Sequence, residues 1–483
     1  MLYIWLLIAC TDDIDGDGFV VTEDCDDSNV SSYPGAAEVC DGLDNDCDGV
    51  VDEFVGTLLY LDHDQDGFGD DNEAVYSCDG AAENYAEIAG DCDDDNPDIY
   101  PHAPEVCDGR DSDCDPLTHA EYGVSWFDGS GTMDVSSYFS PGTTEAPIEY
   151  LLSDPGELRF CGGPWYTLFH ITADVTLRGE GGYAHTLLSG AENGAVLTIY
   201  DNADVLIQGL SLVEGSGVEY NGQYSGGGVA CQNASVRIED SRIAYNEADY
   251  GGGLFLQNCD IEVSQSVIEH NHARAEGGGL YLFSGAFRAD ESRLQNNSAN
   301  NGGGGACSVE HCSISLQNSR VAGNHATYNG AGLYMRIGEL NARKSAFFEN
   351  RTTGAGGAIA ANPFLGVLDI EITDTYLEEN DAYFGGAISV FPSEYDYHIM
   401  LKSQWDTTTV RRNHSDLGGA IAFWWDQDNP PSSIGALTLQ QVNMGSPDRE
   451  DDNILSDLWF QYNEQAFRLE DDAESNCTAQ GCE

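Results

Sequence analysis

Val236 and Ile238 alternate with Ser235, Arg237 and Glu239, and Ile261 and Val263 alternate with Asp260, Glu262 and Ser264. A period of two marks a half-buried strand and excludes an amphipathic helix over these stretches. A longer rhythm punctuates the strands. Glycine clusters leading into an apolar or small residue stand at 226–229, 251–254, 277–280, 302–305, 330–333, 356–359, 385–388 and 418–421. A Ser or Thr follows each of the first seven, with an Asn five residues later: Ser241/Asn246, Ser266/Asn271, Ser292/Asn297, Ser319/Asn324, Ser345/Asn350, Thr375/Asn380 and Thr408/Asn413. Successive Asn residues lie 25, 26, 27, 26, 30 and 33 positions apart. That is the period of a solenoid.

Short strands, turns rich in Gly and Asn and no helix-forming block predict an all-β chain whose main part is a right-handed parallel β-helix. Each coil lays its strands ~4.8 Å from those of the coil below. Gly permits a corner with positive φ, the aliphatic residue after it points inward, and stacked Asn side chains can hydrogen-bond from coil to coil. These residues are scaffold and carry no chemistry.

Residues 154–163 (DPGELRFCGG) and 171–181 (ITADVTLRGEG) resemble the opening coils of right-handed parallel β-helix proteins of the pectate-lyase-like class, and 187–190, 196–200 and 205–212 continue them. The resemblance covers about 145–460 and speaks to fold, not activity. Ile148–Leu152 is expected to be a short capping helix, with irregular sequence over 426–482 capping the far end. Pectin-cleaving relatives of this fold use Asp clusters with calcium and a catalytic Arg or Lys, or paired Asp acids with His and an Arg-Ile-Lys run. No such run occurs here. His272, His325 and His414 each follow a ladder Asn; His272 and His325 fall two coils apart, ~10 Å, too far to share a metal, and are expected to be solvated turn residues. Glu378, Glu379 and Asp381, or Asp426 and Asp428, qualify as an acid/base pair only at a glycosidase's separation. Tyr395, Tyr397, Trp405, Trp424 and Trp425 either stack on sugar rings or fill the wider last coils.

Charge changes the picture at the other end. The 483-residue chain has a formal net charge of −66, from 84 acids against 18 bases, with Lys344 and Lys402 its only lysines. Nucleic acid and anionic membrane surfaces are therefore poor partners. Residues 11–121 hold 35 of the acids and a single base, Arg110. Carboxylates at that density either stay apart or hold cations. Spacing favours cations. Asp13, Asp15 and Asp17, and again Asp62, Asp64 and Asp66, occupy positions 1, 3 and 5 of a calcium loop, followed by Gly at position 6. In the second loop Phe68 supplies the position-7 carbonyl, Asp70 is position 9 and Glu73 position 12; the first ends in Asp24. Flanking amphipathic helices are missing, so isolated calcium loops are expected and not paired EF-hands.

A larger repeat contains these loops. Residues 24–49, with Asp24-Cys25-Asp26-Asp27 and Glu38-Val39-Cys40-Asp41-Gly42-Leu43-Asp44-Asn45-Asp46-Cys47-Asp48-Gly49, match residues 91–115, displaced by 67 positions, with identical cysteine offsets of 15 and 7. The two units resemble the MopE-type metal-binding repeats of exported proteins of myxobacteria and relatives. That resemblance implies a divalent metal, calcium above all, held by Asp13, Asp15, Asp17, Asp44, Asp46, Asp48, Asp62, Asp64 and Asp66. Pro116 stands where the first unit has Gly49, which puts a metal at Asp111, Asp113 and Asp115 in question. The family's name points to copper, but His63 and His102 are too few to supply its imidazole ligands.

Fifteen cysteines point to an oxidising compartment. Expected pairs are Cys25 with Cys40 and Cys92 with Cys107, then Cys47, Cys78, Cys114 and Cys161 among themselves. In the β-helix Cys231 is expected to bond Cys259 and Cys307 to bond Cys312, with Cys477–Cys482 closing a tail loop. Residues 1–10 (MLYIWLLIAC) resemble a lipoprotein signal ending in a lipobox, with Cys10 the lipidated residue, although no Lys or Arg precedes the apolar run. The expected organisation is a signal at 1–10, calcium-binding repeats at 11–121, a junction at 122–145, the β-helix at 146–460 and a tail at 461–483. The function expected is that of an exported, surface-anchored or secreted calcium-binding structural or adhesive protein. It would present a β-helix face to an extracellular glycan or protein and touch membrane only through a lipid anchor. The alternative is a calcium-dependent polysaccharide lyase or glycoside hydrolase.

Overall fold

A computed structural model describes residues 13–103, 111–115, 123–135, 147–362, 368–391, 408–417 and 420–423, and the strand backbone at 397–402, 435–440, 442–443, 458–460, 467–471, 477–478 and 481–482. The chain forms two compact units, Met1–Ala120 and Glu121–Glu483. Among the described residues there is no helix long and apolar enough to cross a membrane.

The second unit is a parallel β-solenoid. One coil runs through Val229–Gln232, Ser235–Glu239, Arg242–Ala244 and Glu247–Tyr250. The next repeats it as Leu254–Ser264, Val267–Glu269 and His272–Glu276, in parallel pairing with one register shift, between Ala248 and Tyr250. Alternation sets what is inside. Val236 and Ile238 are buried while Ser235 and Arg237 are exposed. One inward row passes through Phe169, Leu197, Val229, Leu254, Leu280, Ala306, Leu333, Ile359, Ile388 and Ile421, all essentially without solvent exposure. Each such aliphatic contributes ~1.5–3 kcal/mol of burial. Because every coil borrows its core from its neighbours, the stack stands or falls as neighbours do.

The Asn ladder forms. Asn246, Asn271, Asn297, Asn324, Asn350 and Asn380 each donate Nδ2–H to the Oδ1 of the next Asn, at 2.9–3.2 Å. The same amide also donates to a carbonyl of the preceding coil, as Asn271 does to Ile243. The Ser/Thr column is a second ladder, Ser241 N–H donating to Ser266 Oγ and so on to Thr375. Gly226 and its counterparts take positive φ as expected. Unexpectedly, so do the non-glycine residues just before most described ladder positions, such as Gln265 (φ 49°) before Ser266 and His270 (φ 53°) before Asn271. A left-handed non-glycine residue costs roughly 1–2 kcal/mol, and the side-chain bonds made by the next residue offset it.

Three expectations are corrected in this unit, and the stretch read as a junction gains described strands. Ile148–Leu152 is a strand, not a helix; its alternate residues turn inward and it pairs in parallel with Trp165–Ile171. Gly123–Phe127 and Thr132–Asp134, within the stretch read as a junction, form an antiparallel hairpin that pairs with Gly156–Cys161. It covers a sheet edge that would otherwise offer free backbone groups. His272, His325 and His414 lie in strands and not in turns; Ser298 stands between His272 and His325 in the register. Cys231–Cys259 is bonded as expected, but Cys307 and Cys312 are free and buried. Both sit in the strand Ala306–Gln317. Cys307 joins the outer cluster of Phe255, Tyr281 and Tyr334, whereas Cys312 belongs to the interior. Cys307 falls in the outer register row of Phe255 and Tyr281, one residue off the inward row of Leu256 and Leu282, and the chain then turns a left-handed corner at His311 before Cys312.

In the first unit Thr57–Leu61 (β1), Phe68–Ser77 (β2), Tyr85–Ala86 (β3) and Ile88–Ala89 (β4) make a sheet ordered β3-β1-β2-β4. The other described residues of this unit form loops, held by turns and disulfides.

Candidate metal centres

Three Asp-x-Asp-x-Asp-Gly loops fold alike. Asp13 accepts from the amides of Gly16 and Gly18, Asp15 from Asp17 and Asp17 from Phe19, at 2.7–3.2 Å. Asp62 accepts from Gln65 and Gly67, Asp64 from Asp66 and Asp66 from Phe68, over the same range. Asp44 accepts from Asp48 and Gly49, Asp46 from Asp48 and Asp48 from Val50. In each loop the backbone uses one set of carboxylate oxygens to fix the turn, and Gly18, Gly67 and Gly49 take the positive φ it needs. The other oxygens are left over.

Those oxygens mark the centres. Asp15, Asp17, Asp24, Asp27, Asp64, Asp66 and Asp91 each bury an Oδ2, and Glu53 an Oε2, with no hydrogen-bond partner. Carboxylates of Asp13, Asp15 and Asp17 approach within 4.8 Å of one another, as do those of Asp15, Asp24 and Asp27, of Asp44, Asp46 and Asp48, and of Glu38, Asp46 and Glu53. Burial, more than any other influence, raises the pKa of Asp15, Asp64 and Asp66, and it takes Asp91 to about 6. Unpaired buried carboxylate oxygens are costly, and a cation satisfies them all at once. The residues present therefore fit a metal ion. Cys25 and Cys47 also lie near Asp24, but their sulfurs are joined in a disulfide and cannot ligate as thiolates. The donors are all oxygens, the choice of hard cations.

Of the residues expected, the structure gathers Asp13, Asp15, Asp17 and Asp24, and separately Asp44, Asp46 and Asp48. Asp62, Asp64 and Asp66 make the same cradle, with Phe68 donating into it. Asp70 and Glu73 do not close it. Strand β2 begins at Phe68 and its register against β1 breaks between Asp70 and Ala74, so Glu73 lies in a bulge and not in a helical turn; it is exposed, and Asp70 Oδ1 accepts from Asn72 instead. Asp115 N–H donates to Asp113 Oδ1 at 3.0 Å, as Asp48 does to Asp46. Asp27, Glu38 and Glu53 were missed, although Asp27 and Glu38 stand within the repeated motif. His63 Nδ1 pairs with Asp95 at 2.6 Å, which raises its pKa.

The disulfides of this unit differ from expectation. Cys25 bonds Cys47, Cys40 bonds Cys78 and Cys92 bonds Cys114. Tyr33 and Gly35 donate their amides to the carbonyls of Asn45 and Asp46, as Tyr100 and His102 do to Ser112 and Asp113. This folds the acidic turn back beneath the Asp-Cys-Asp segment, bringing Cys47 to Cys25 and leaving Cys40 for Cys78. Cys161 is also disulfide-bonded. With Cys47, Cys78 and Cys114 otherwise engaged, it does not pair with any of them.

The acids named as catalytic candidates are tied up in ion pairs. Glu378 accepts from Arg411 at 2.8 Å and Arg412 at 2.9 Å, Glu379 pairs with Arg412 at 3.0 Å, and Asp381 with Arg351 and His414. Cys10, Asp426, Asp428, Tyr395, Trp405, Trp424 and Trp425, and the side chains of Tyr397, Cys107, Cys477 and Cys482, lie outside the described residues.

Fold and centres together define an all-β, metal-binding structural protein: a parallel β-solenoid and, in a separate unit, a disulfide-stapled acidic region. The family model for the copper-binding MopE type, described as "Putative metal-binding motif", matches residues 24–53 and 91–119. No curated protein and no solved structure matches the chain. The loops at 13–19 and 62–68 fall outside the matched segments.

Proposed function

We propose that this is an exported calcium-binding protein of the cell surface, lipid-anchored or secreted, in which calcium rigidifies the acidic unit and the β-solenoid presents a face for adhesion to a glycan or protein. The observation that carries it is the set of buried carboxylate oxygens without partners in the loops at 13–17 and 62–66 and on the acids beside them, Asp24, Asp27 and Asp91. Calcium is the cation of choice because it takes six to eight oxygens in loops of this spacing, and because the sulfurs beside Asp24, those of Cys25 and Cys47, are oxidised. Four disulfides among described cysteines support an extracellular setting. Adhesion rests on the long ion-paired outer faces and on the pairing of Glu378 and Glu379 with arginines, which leaves neither free as an acid or base.

The test is thermal unfolding and limited proteolysis of the full chain in calcium and in chelator. Calcium should raise the melting temperature of the acidic unit and slow its cleavage, and magnesium should do so less. Unchanged stability in chelator would defeat the reading.

A further inference from the structure

The second calcium loop lacks, along the chain, the acids that close the first. Asp24 and Asp27 follow Asp13 by 11 and 14 residues, whereas the matching Asp91 and Asp94 follow Asp62 by 29 and 32. Eighteen extra residues intervene. The geometry nevertheless agrees bond for bond. Glu23 and Asp24 donate their amides to the Val20 carbonyl at 2.7 and 3.0 Å, and Gly90 and Asp91 donate to the Gly69 carbonyl at 3.1 and 3.2 Å. Ile14 N–H donates to Asp27 Oδ1 at 3.1 Å, and His63 N–H to Asp94 Oδ1 at 3.0 Å. Asp24 and Asp91 each accept from the amide two residues on at 2.8 Å. Phe19 stacks on Tyr33 with centroids 5.3 Å apart, and Phe68 on Tyr100 at 5.4 Å. The two units are one module, and in the second the segment 70–89, carrying most of β2 with β3 and β4, is an excursion that leaves and rejoins it at one point.

Asp91 is only 7% exposed, and its Oδ2 has no partner; nor have Asp64 Oδ2 and Asp66 Oδ2. The charges facing Asp91 are those of Asp66, Asp64 and Asp94. We infer that Asp91, with Asp94 beside it, closes a divalent-cation site opened by Asp62, Asp64 and Asp66, so that one ion clasps both ends of the 70–89 excursion. The inference rests on the calcium reading above and adds to it the closing ligands and a consequence: order in the excursion is coupled to the ion. A hard cation of calcium's size is the ligand class, since all five donors are carboxylates.

The test uses the full chain, terbium and calcium as probes, and two pairs of variants. Asp91→Asn and Asp94→Asn should each weaken one class of terbium sites tenfold or more. In calcium, a glutamate-specific protease should then cut at Glu83 and Glu87 as fast as it cuts the wild type in chelator. Asp70→Asn and Glu73→Gln, the residues an EF-hand-like closure would need, should change neither readout. Loss of a site in the Asp70 or Glu73 variants, with the Asp91 and Asp94 variants intact, would overturn the composite site while leaving the calcium reading standing. A wild type that binds no terbium and gains no protection would overturn both. Should Asp91→Asn fail to form the Cys92–Cys114 bond, Asp94→Asn alone decides.

Discussion

The side-chain amide of Asn271 donates to Asn297 Oδ1 at 3.0 Å and to the Ile243 carbonyl at 2.9 Å, and neither Asn has any solvent exposure. Each rung thus ties three coils. Asn297→Ala would strand the Asn271 amide and the Ile268 carbonyl in the interior, at about 1–3 kcal/mol each. Asn297→Asp, which keeps the acceptor but buries a charge, should be worse. Because solenoids open locally, hydrogen exchange should rise first in the coils flanking residue 297, with the earliest coils still protected.

Stability in chelator should fall as pH rises from about 4 to about 6. In the cation-free protein burial raises Asp91 to about 6, against roughly 3.9 for an unfolded Asp. Between those values the folded chain holds a proton that the unfolded chain has released, so unfolding gains ground with pH. Calcium requires the ionised carboxylate, so in excess calcium the slope should reverse. Melting curves of the acidic unit at pH 4, 5, 6 and 7, with and without calcium, check both signs.

Peptide mapping without reduction should recover Cys25–Cys47, Cys40–Cys78, Cys92–Cys114 and Cys231–Cys259. Cys307 and Cys312 should label with a thiol reagent only after unfolding. Cys40→Ser/Cys78→Ser opens a loop with a sequence separation of 38, and the chain-entropy account predicts a loss of about 3–4 kcal/mol, measurable by denaturant unfolding in saturating calcium.

Glu378→Gln should act on stability and not on any turnover. It strands Arg411 and Arg412 beside a nearly buried neutral side chain. The arginines are partly exposed, so the cost should be about 1–3 kcal/mol, below that of a fully buried pair. Glu379→Gln, whose carboxylate is more exposed, should cost under about 1 kcal/mol. Differential scanning of the two variants separates these expectations.

The solenoid was legible because its rows are written in the chain: alternation at Val236 and Ile238, and an Asn at each turn. The left-handed corners at Gln265 and His270 were not, since nothing in those residue types asks for positive φ; the ladder bond of the following residue imposes it. In the acidic unit the three Asp loops could be read from spacing, because each cradle is local. Their closure could not. Position 12 presumes that the chain turns back into a helix, and a strand starting at Phe68, with Glu73 in its bulge, takes that helix's place. The disulfides were hidden for a related reason: offsets of 15 and 7 permit Cys25 to reach Cys40 or Cys47, and only the amides of Tyr33 and Gly35 decide.

The point where segment 70–89 leaves and rejoins is narrow, spanned by two amides on one carbonyl at Gly69, and its counterpart in the first unit is the short link from Val20 to Glu23. A module that stays intact around such a gap is a natural splice point. New sequence can enter there without disturbing the turn, the stacked rings or the disulfide. The first unit, whose link is still short, thus offers a ready graft position for a foreign hairpin or epitope.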